Sequence, residues 1–222
     1  MLPNLTSAEE NYIKNIYHLQ QQAGCVTTNE LAAVLHARPA SITDMLKKLK
    51  TKKLLNYEPY KEFSLTPHGK KMALNIVRKH RLWEYFLVDK LQFGWDEVHE
   101  VAEELEHVTS KKLVEKLDAY LNYPRFDPHG DPIPDSNGKM SQQQQVNLAS
   151  LEFNRPAEVS SVGNQSTELL ESLKHKNIHI GTILEIKKRF GFDNSVEIKV
   201  KNQPAITISE QLARSLFVKL IV

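Results

Sequence analysis

The sequence has little cysteine, no long hydrophobic run and almost no net charge. Its single cysteine among 222 residues, Cys25, excludes an intrachain disulfide and a cysteine-rich zinc module. No apolar run is long enough to span a bilayer, and the opening MLPNLTSAEE lacks the basic and apolar regions of a signal peptide. We therefore expect a cytoplasmic protein that has no membrane partner.

The net charge of +2 conceals an uneven distribution of charge along the chain. Residues 1–75 carry ten Lys/Arg against six Asp/Glu, whereas residues 89–135 carry five against twelve. A basic front suits contact with a polyanion, and an acidic middle suits a bound cation.

The segment HEVAEELEHV, residues 99–108, concentrates two histidines and four glutamates. On a helix, His99, Glu103, Glu106 and His107 follow the i, i+4, i+7, i+8 pattern and share one stripe beside an apolar face. A carboxylate placed there is costly unless it is paired or bound to metal. The pattern favours a metal site, and a solvated acidic face is the alternative.

A second histidine and glutamate pair lies in RKHRLWEYFL, residues 78–87. His80 and Glu84 are four residues apart and share a helix face. Two such segments could surround one or two cations, while the alternative for His80 is a core histidine that a neighbour satisfies. The apolar and aromatic side chains of the helix predicted at 68–90, which Thr66 caps, indicate a dimer interface or an ordinary core.

The N-terminal third has the pattern of a winged helix. A helix is predicted over 8–22, with Ser7 as its cap and Glu10 completing a capping box. Two short helices follow, separated by a break at Pro39, and then a hairpin with its tip at 58–62. The alternative to DNA binding is a helical hairpin with a solvated lysine face. The candidate DNA-contacting residues are Thr28, Arg38, Pro39, Ala40, Ser41, Thr43, Lys47, Lys48 and Lys61.

The rest of the chain changes character twice. Helices are predicted at 96–107 and 109–121, and the Pro-, Gly- and Asp-rich stretch NYPRFDPHGDPIPDSNGK that follows is predicted to be a loop. After the polar SQQQQ, alternating apolar residues at 185–186, 196–200 and 205–209, together with the LFVKLIV that ends the chain, predict strands of a small β-barrel, with one short helix in TELLESLKH.

These residues resemble a known family. The NYIKNIYHL helix, the winged helix, RKHRLWEYFL, HEVAEELEHV, DPHGDPIP and the barrel beginning near IGTILEI are similar to the iron- and manganese-dependent repressors of the diphtheria toxin repressor and manganese transport regulator type. The resemblance covers essentially the whole chain. It implies a dimer that divalent metal locks into an operator-binding form.

The fold implied is mainly α with a small β part. It consists of an N-terminal winged helix-turn-helix, a helical metal-binding and dimerisation domain, and a C-terminal SH3-like β-barrel. The expected boundaries are 1–74 for the DNA-binding domain, 75–141 for the helical domain, 142–152 for a linker and 153–222 for the SH3-like (FeoA-like) domain.

The resemblance also implies a set of metal ligands. The primary site would use Glu103, Glu106, His107 and, from the first helix, Asn11; the ancillary site would use His80, Glu84 and His99, with Glu158 added from the barrel. Asn11 replaces a methionine or aspartate of known relatives, and Lys14 stands where some manganese regulators have a carboxylate. Both departures argue against a closely spaced binuclear site.

Ligand chemistry gives the expected metal. Oxygen and nitrogen donors without sulfur suit Mn²⁺, with Fe²⁺ as the alternative, and Zn²⁺ or Co²⁺ can substitute in vitro.

The expected partners are double-stranded palindromic operator DNA and a second copy of the chain, with no small-molecule substrate. A metal-dependent hydrolase is the competing class, but the His-Glu-x-x-His pattern is absent because position 103 is Glu. A regulator that senses something else, with solvated His and Glu faces, is the third reading.

Overall fold

The computed structural model describes residues 5–108, 110–163 and 165–221, and the chain divides into two compact units. Unit 1 comprises Met1–His80, Glu103–Val114 and Pro134–Lys139. Unit 2 comprises Arg81–Ala102, Glu115–Ile133 and Met140–Val222. The helices are α1 (Ser7–Ala23), α2 (Thr28–Val34), α3 (Pro39–Thr51), α4 (Pro67–Leu91), α5 (Val98–Leu105), α6 (Lys111–Tyr120), α7 (Thr167–His175) and α8 (Glu210–Arg214). The strands are β1 (Leu55–Asn56), β2 (Ser64–Leu65), β3 (Val146–Asn147), β4 (Ala157–Val162), β5 (Ile183–Arg189), β6 (Val196–Val200), β7 (Ala205–Ile208) and β8 (Leu216–Leu220).

Unit 1 contains a helix-turn-helix followed by a short hairpin. Thr27 caps α2 in a capping box with Glu30, and Pro39 begins α3, where its missing N–H costs no hydrogen bond. Strands β1 and β2 pair antiparallel, with Leu55 opposite Leu65. The unit's core consists of fully buried side chains from α1, α2, α3 and the hairpin region: Ile13, Ile16, Leu31, Ile42, Leu46, Leu49, Leu54 and Phe63.

The start of α1 differs from the sequence prediction by one residue. Thr6, not Ser7, is the N-cap: its hydroxyl accepts from the Glu9 amide, and Glu9 accepts from the Thr6 amide at 2.9 Å. Thr6 has the extended backbone that a cap requires, whereas Ser7 is already helical. Glu10 is therefore released from capping, and its side chain contacts His107 in unit 1.

Unit 2 contains a six-stranded antiparallel sheet in the order β3-β8-β4-β5-β6-β7. The strands β5 to β8 follow the alternation seen in the sequence, but β3 and β4 were not predicted. In β4 four consecutive residues are buried, so no polar side alternates with the apolar one. The side chains of this sheet enclose a core with α7 and α8. Among the described helices, none is both long and apolar enough to cross a bilayer.

The loop after α6 belongs partly to unit 2, and one glycine fixes its course. Gly130 has φ +86°, and a Cβ at this position would lie 1.9 Å from the Ser160 carbonyl oxygen. The Val162 amide donates to the His129 carbonyl at 3.0 Å. Only glycine allows this close approach of the loop to β4, which holds His129 in place.

Candidate metal centre

In unit 1 the predicted primary-site residues surround a lysine. The Lys14 ammonium donates to Glu103 Oε1 at 2.5 Å and to Glu106 Oε2 at 2.7 Å. His80 Nδ1 lies 2.8 Å from the same Glu106 oxygen. Glu106 is fully buried and Lys14 is 5% exposed. We call Lys14, His80, Glu103 and Glu106 the lysine cluster.

The charge of Lys14 offsets the burial of Glu106. Burial by itself raises the pKa of the Glu106 carboxyl, but the hydrogen bond with His80 and the charge and hydrogen bond of Lys14 outweigh it, so the pKa is lowered. Glu106 therefore remains ionised beside an ammonium, as a buried carboxylate with a hydrogen-bonded partner does.

Two other predicted ligands of this site have different surroundings. His107 Nδ1 lies 2.7 Å from Glu10 Oε2, and Glu10 also faces the buried Lys79 at 3.5 Å. Asn11 Oδ1 is buried and has no hydrogen-bond partner among the described residues. The contacts that the cluster makes fit an ammonium better than a divalent ion, because Lys14 already binds both carboxylates. A metal at Glu103, Glu106, His107 and Asn11 stays a prediction.

A second group of ligand atoms converges in unit 2. Glu84 from α4 and Asp127 and His129 from the loop after α6 each bring one ligand atom within 4.8 Å of the others. All three residues are buried. We call these three residues the loop cluster.

Neighbouring groups orient two of these ligands toward the centre of the loop cluster. His129 Nε2 donates to the Trp95 carbonyl at 2.8 Å, because a carbonyl oxygen can only accept, and this leaves Nδ1 facing Glu84 Oε2 at 3.7 Å. Asp127 Oδ1 accepts from the amides of His129 and Asp131. Within the described part of the chain, His129 Nδ1 and Asp127 Oδ2 have no hydrogen-bond partner. Metal-binding histidines and carboxylates typically make such hydrogen bonds through the atoms that do not face the metal, so these residues fit a divalent cation.

The loop cluster has one open side and one cationic side. His99 Nδ1 lies 3.4 Å from Glu84 Oε1, and the His99 side chain is 47% exposed, so it borders solvent. On another side Arg81 Nε lies 3.4 Å from Asp127 Oδ2 and Arg81 also pairs with Asp131. His99 therefore lies at the solvent-exposed edge of the cluster, while Arg81 anchors the loop.

Without a cation, the acidic neighbours shift both loop ligands toward protonation. Burial, followed by the charges of Glu84 and Asp131, raises the pKa of Asp127 to about 7. Burial lowers the pKa of His129, but the neighbouring carboxylates of Glu84 and then Asp127 prevail and raise it to about 9. Metal binding would have to release these protons.

Sequence reasoning placed Glu84 in a metal site but missed Asp127 and His129. The signal that could have identified them is the D-x-H spacing in DPHGDP, the loop segment that also carries the family resemblance. The predicted ancillary set of His80, Glu84 and His99 stays a prediction: Glu84 contacts His99, while His80 contacts Glu106. Glu158 lies on β4 and pairs with Lys219 at 2.9 Å.

The candidate DNA-contacting residues lie on α2, α3 and the hairpin of unit 1. Pro39, Ala40 and Ser41 are exposed in the first turn of α3, and Lys47 and Lys48 are exposed further along it. Thr43 donates to the Pro39 carbonyl, Thr28 begins α2, Arg38 precedes α3, and Lys61 pairs with Glu58 at the hairpin tip. Their contact with DNA stays a prediction.

Three family models match successive parts of the chain. Residues 4–63 match "Iron dependent repressor, N-terminal DNA binding domain", residues 66–135 match "Iron dependent repressor, metal binding and dimerisation domain", and residues 146–220 match the FeoA domain. These matches confirm the predicted fold class, a DNA-binding domain followed by a helical domain and a C-terminal β domain.

Similar proteins are named as metal-dependent transcriptional regulators. The iron-dependent repressor IdeR of Mycobacterium leprae is 32% identical over 131 residues, which are 59% of this chain and 57% of that protein. The HTH-type transcriptional regulator MntR of Oceanobacillus iheyensis is 32% identical over 118 residues, 53% of this chain and 80% of that protein. A solved manganese-dependent transcriptional repressor in complex with manganese has a TM-score of 0.86 and 28% identity, over 96% of this chain and all of that chain.

The chain belongs to the iron-dependent repressor family of metal-dependent transcriptional regulators. The match to the mycobacterial protein spans little more than half of that protein's length.

Proposed function

We propose that this chain is a Mn²⁺-activated, DNA-binding repressor of metal-uptake genes, and not an enzyme. It acts as a homodimer on palindromic double-stranded operator DNA. Fe²⁺ is the alternative effector, and Zn²⁺ or Co²⁺ can substitute for it in vitro. The names of its relatives include both manganese and iron regulators, so the choice of Mn²⁺ in this proposal is argued from the donor atoms of the site.

The observation that carries the proposal is the loop cluster. Glu84, Asp127 and His129 offer two carboxylates and one imidazole, a donor set without sulfur. Hard carboxylate oxygens favour Mn²⁺ relative to softer ions, while one imidazole is compatible with Mn²⁺ and Fe²⁺. A bound divalent ion supplies positive charge that neutralises the two buried carboxylates.

The residues around the cluster position the ligands before the cation arrives. Trp95 fixes the tautomer of His129, and the amides of His129 and Asp131 hold Asp127 Oδ1. An ion that binds only the DNA-competent conformation shifts the population toward that conformation. Conformations of the dimer that separate the two α3 helices by about one DNA turn, roughly 34 Å, are those that fit an operator.

The test is operator binding as a function of metal. Fluorescence anisotropy of a labelled palindrome from upstream of the protein's own gene would be titrated anaerobically with Mn²⁺, Fe²⁺ and Zn²⁺. We expect binding that requires metal. His129→Gln should raise the Mn²⁺ concentration for half-maximal binding by about 10- to 100-fold or more, the usual effect of losing a ligand or its support.

His175→Gln is the matched control, because His175 is an exposed histidine at the end of α7. It should leave the Mn²⁺ response unchanged. A His129→Gln protein that responds to Mn²⁺ as the wild type does would remove the loop cluster from the proposal. DNA binding without metal would leave a regulator that senses something else.

A further inference from the structure

The lysine cluster places an ammonium where a metal was expected. Lys14 Nζ lies between Glu103 Oε1 and Glu106 Oε2, at 2.5 and 2.7 Å. Lys14 comes from α1, and the two carboxylates come from the end of α5 and the residue after it. Its charge therefore links α1 to the segment at 103–106 within unit 1.

Burial makes this arrangement costly to reverse. The Lys14 side chain is 7% exposed and the Glu106 side chain is fully buried. If the ion pair were broken, water could not readily solvate either charged group. A divalent ion between these carboxylates would repel the Lys14 ammonium at short range and would compete with it for the same two oxygens. Lys14 and a metal therefore exclude one another here.

We infer that Lys14 is a built-in cation that replaces the metal of this cluster, so that α1 is held to residues 103–106 whether or not metal is present. The inference deepens the proposed function and rests on it, because it leaves the loop cluster as the site that responds to metal. The attachment of α1 is then a fixed part of unit 1 and does not follow the concentration of Mn²⁺.

The test compares Mn²⁺ stoichiometries of full-length variants by equilibrium dialysis with metal analysis. Lys14→Met keeps a long unbranched side chain, one atom shorter than lysine, but removes its charge, which leaves the two carboxylates and the His80 imidazole without the ammonium. We expect Lys14→Met to bind about one more Mn²⁺ per chain than the wild type, because carboxylates and imidazole without a resident cation make a divalent site. Lys52→Met removes another lysine that pairs with α1, through Glu9, and should leave the stoichiometry unchanged.

Glu103→Gln in the wild-type background is a milder substitution, because Glu106 still pairs with Lys14. Its Mn²⁺ stoichiometry gives a second test. We expect its Mn²⁺ stoichiometry to equal that of the wild type. A lower stoichiometry in Glu103→Gln, or no gain in a folded Lys14→Met, overturns the inference. If Lys14→Met does not fold, the Glu103→Gln comparison decides alone.

The same measurements separate this inference from the proposed function. If the wild-type protein binds no Mn²⁺, the proposed metal response is wrong. A gain of bound Mn²⁺ in Lys14→Met would still support the role of Lys14. A wild-type protein that loses Mn²⁺ on Glu103→Gln would keep a metal-dependent regulator and overturn only the inference.

Discussion

At the scale of single residues, the sequence predicts ligand types better than ligand partners. Glu84 and His99 were selected by their spacing on helices, and the two side chains do face one another. Asp127 and His129 were missed because they are more than forty positions from Glu84 and lie in an irregular loop, where no periodicity links them. Lys14 was noticed as a departure, but its position between two carboxylates depends on packing that no local pattern encodes.

Gly130 is the residue whose replacement should most directly disturb the loop cluster. A Cβ there meets the Ser160 carbonyl at 1.9 Å, and φ is +86°. Gly130→Ala should therefore lower the free energy of unfolding by roughly 2–4 kcal/mol, from backbone strain and overpacking. Urea denaturation of the metal-free protein measures the change.

Gly191→Ala is the control for this substitution, since a Cβ at Gly191 has open space around it. It should change the free energy of unfolding by less than about 1 kcal/mol. Equal stability of the two variants would contradict the close approach of Gly130 to β4.

At the scale of secondary structure elements, the sequence predicts which elements exist, and the structure corrects their ends. Helices α1 to α7 and strands β5 to β8 correspond to segments in which the sequence shows a helical or an alternating pattern of apolar residues. The short strand β3 and the continuously buried part of β4 carry no such alternation. The N-cap of α1 is Thr6 and not the predicted Ser7. Ser and Thr are nearly equivalent as caps, so only the backbone conformation distinguishes the two neighbouring residues.

The cap of α1 also makes a pH prediction. Glu9 is 5% exposed; burial raises the pKa of its carboxyl, but hydrogen bonds from Lys52 and Thr6 and the charge of Lys52 outweigh burial and lower the pKa below its ordinary value. A pKa that is lower in the folded state contributes stability above about pH 4.5 and loses it as the pH falls through the lowered value. Glu9→Gln should destabilise the protein by about 1 kcal/mol at neutral pH and by less at about pH 3.

Urea midpoints of the wild type and Glu9→Gln at the two pH values measure this effect. Glu104→Gln, at an exposed glutamate of α5, controls for removing a negative charge from the surface. A gap between wild type and Glu9→Gln that widens as the pH falls would contradict the sign of the shift.

At the scale of the whole molecule, the order of domains was predictable, but their boundaries stay a prediction. The change from helical to alternating periodicity after the Pro-rich loop marks the C-terminal domain, and the family models match on either side of it. The compact units of the structure divide α4 and α5 between them, which a boundary drawn along the sequence cannot represent. The reason is that each compact unit combines stretches of chain that are far apart in the sequence.

The proposed homodimer predicts a fixed spacing of operator half-sites. Two α3 helices related by a two-fold axis read half-sites about one helical turn apart. Inserting about five base pairs at the centre of the palindrome rotates one half-site to the opposite face, so the affinity with Mn²⁺ should fall by at least 10-fold. Anisotropy titrations with the native and lengthened operators measure this loss. Equal affinity for both would indicate that each chain binds DNA independently.

The indole of Trp95 has a consequence for how the protein can be observed. Its ring stacks on that of His129, with centroids 6.0 Å apart and an interplanar angle of 20°. Light emitted by this indole originates next to the loop cluster, and paramagnetic Mn²⁺ or Fe²⁺ is an efficient quencher at such short range. The chain thus contains, in Trp95, its own optical label for cation occupancy.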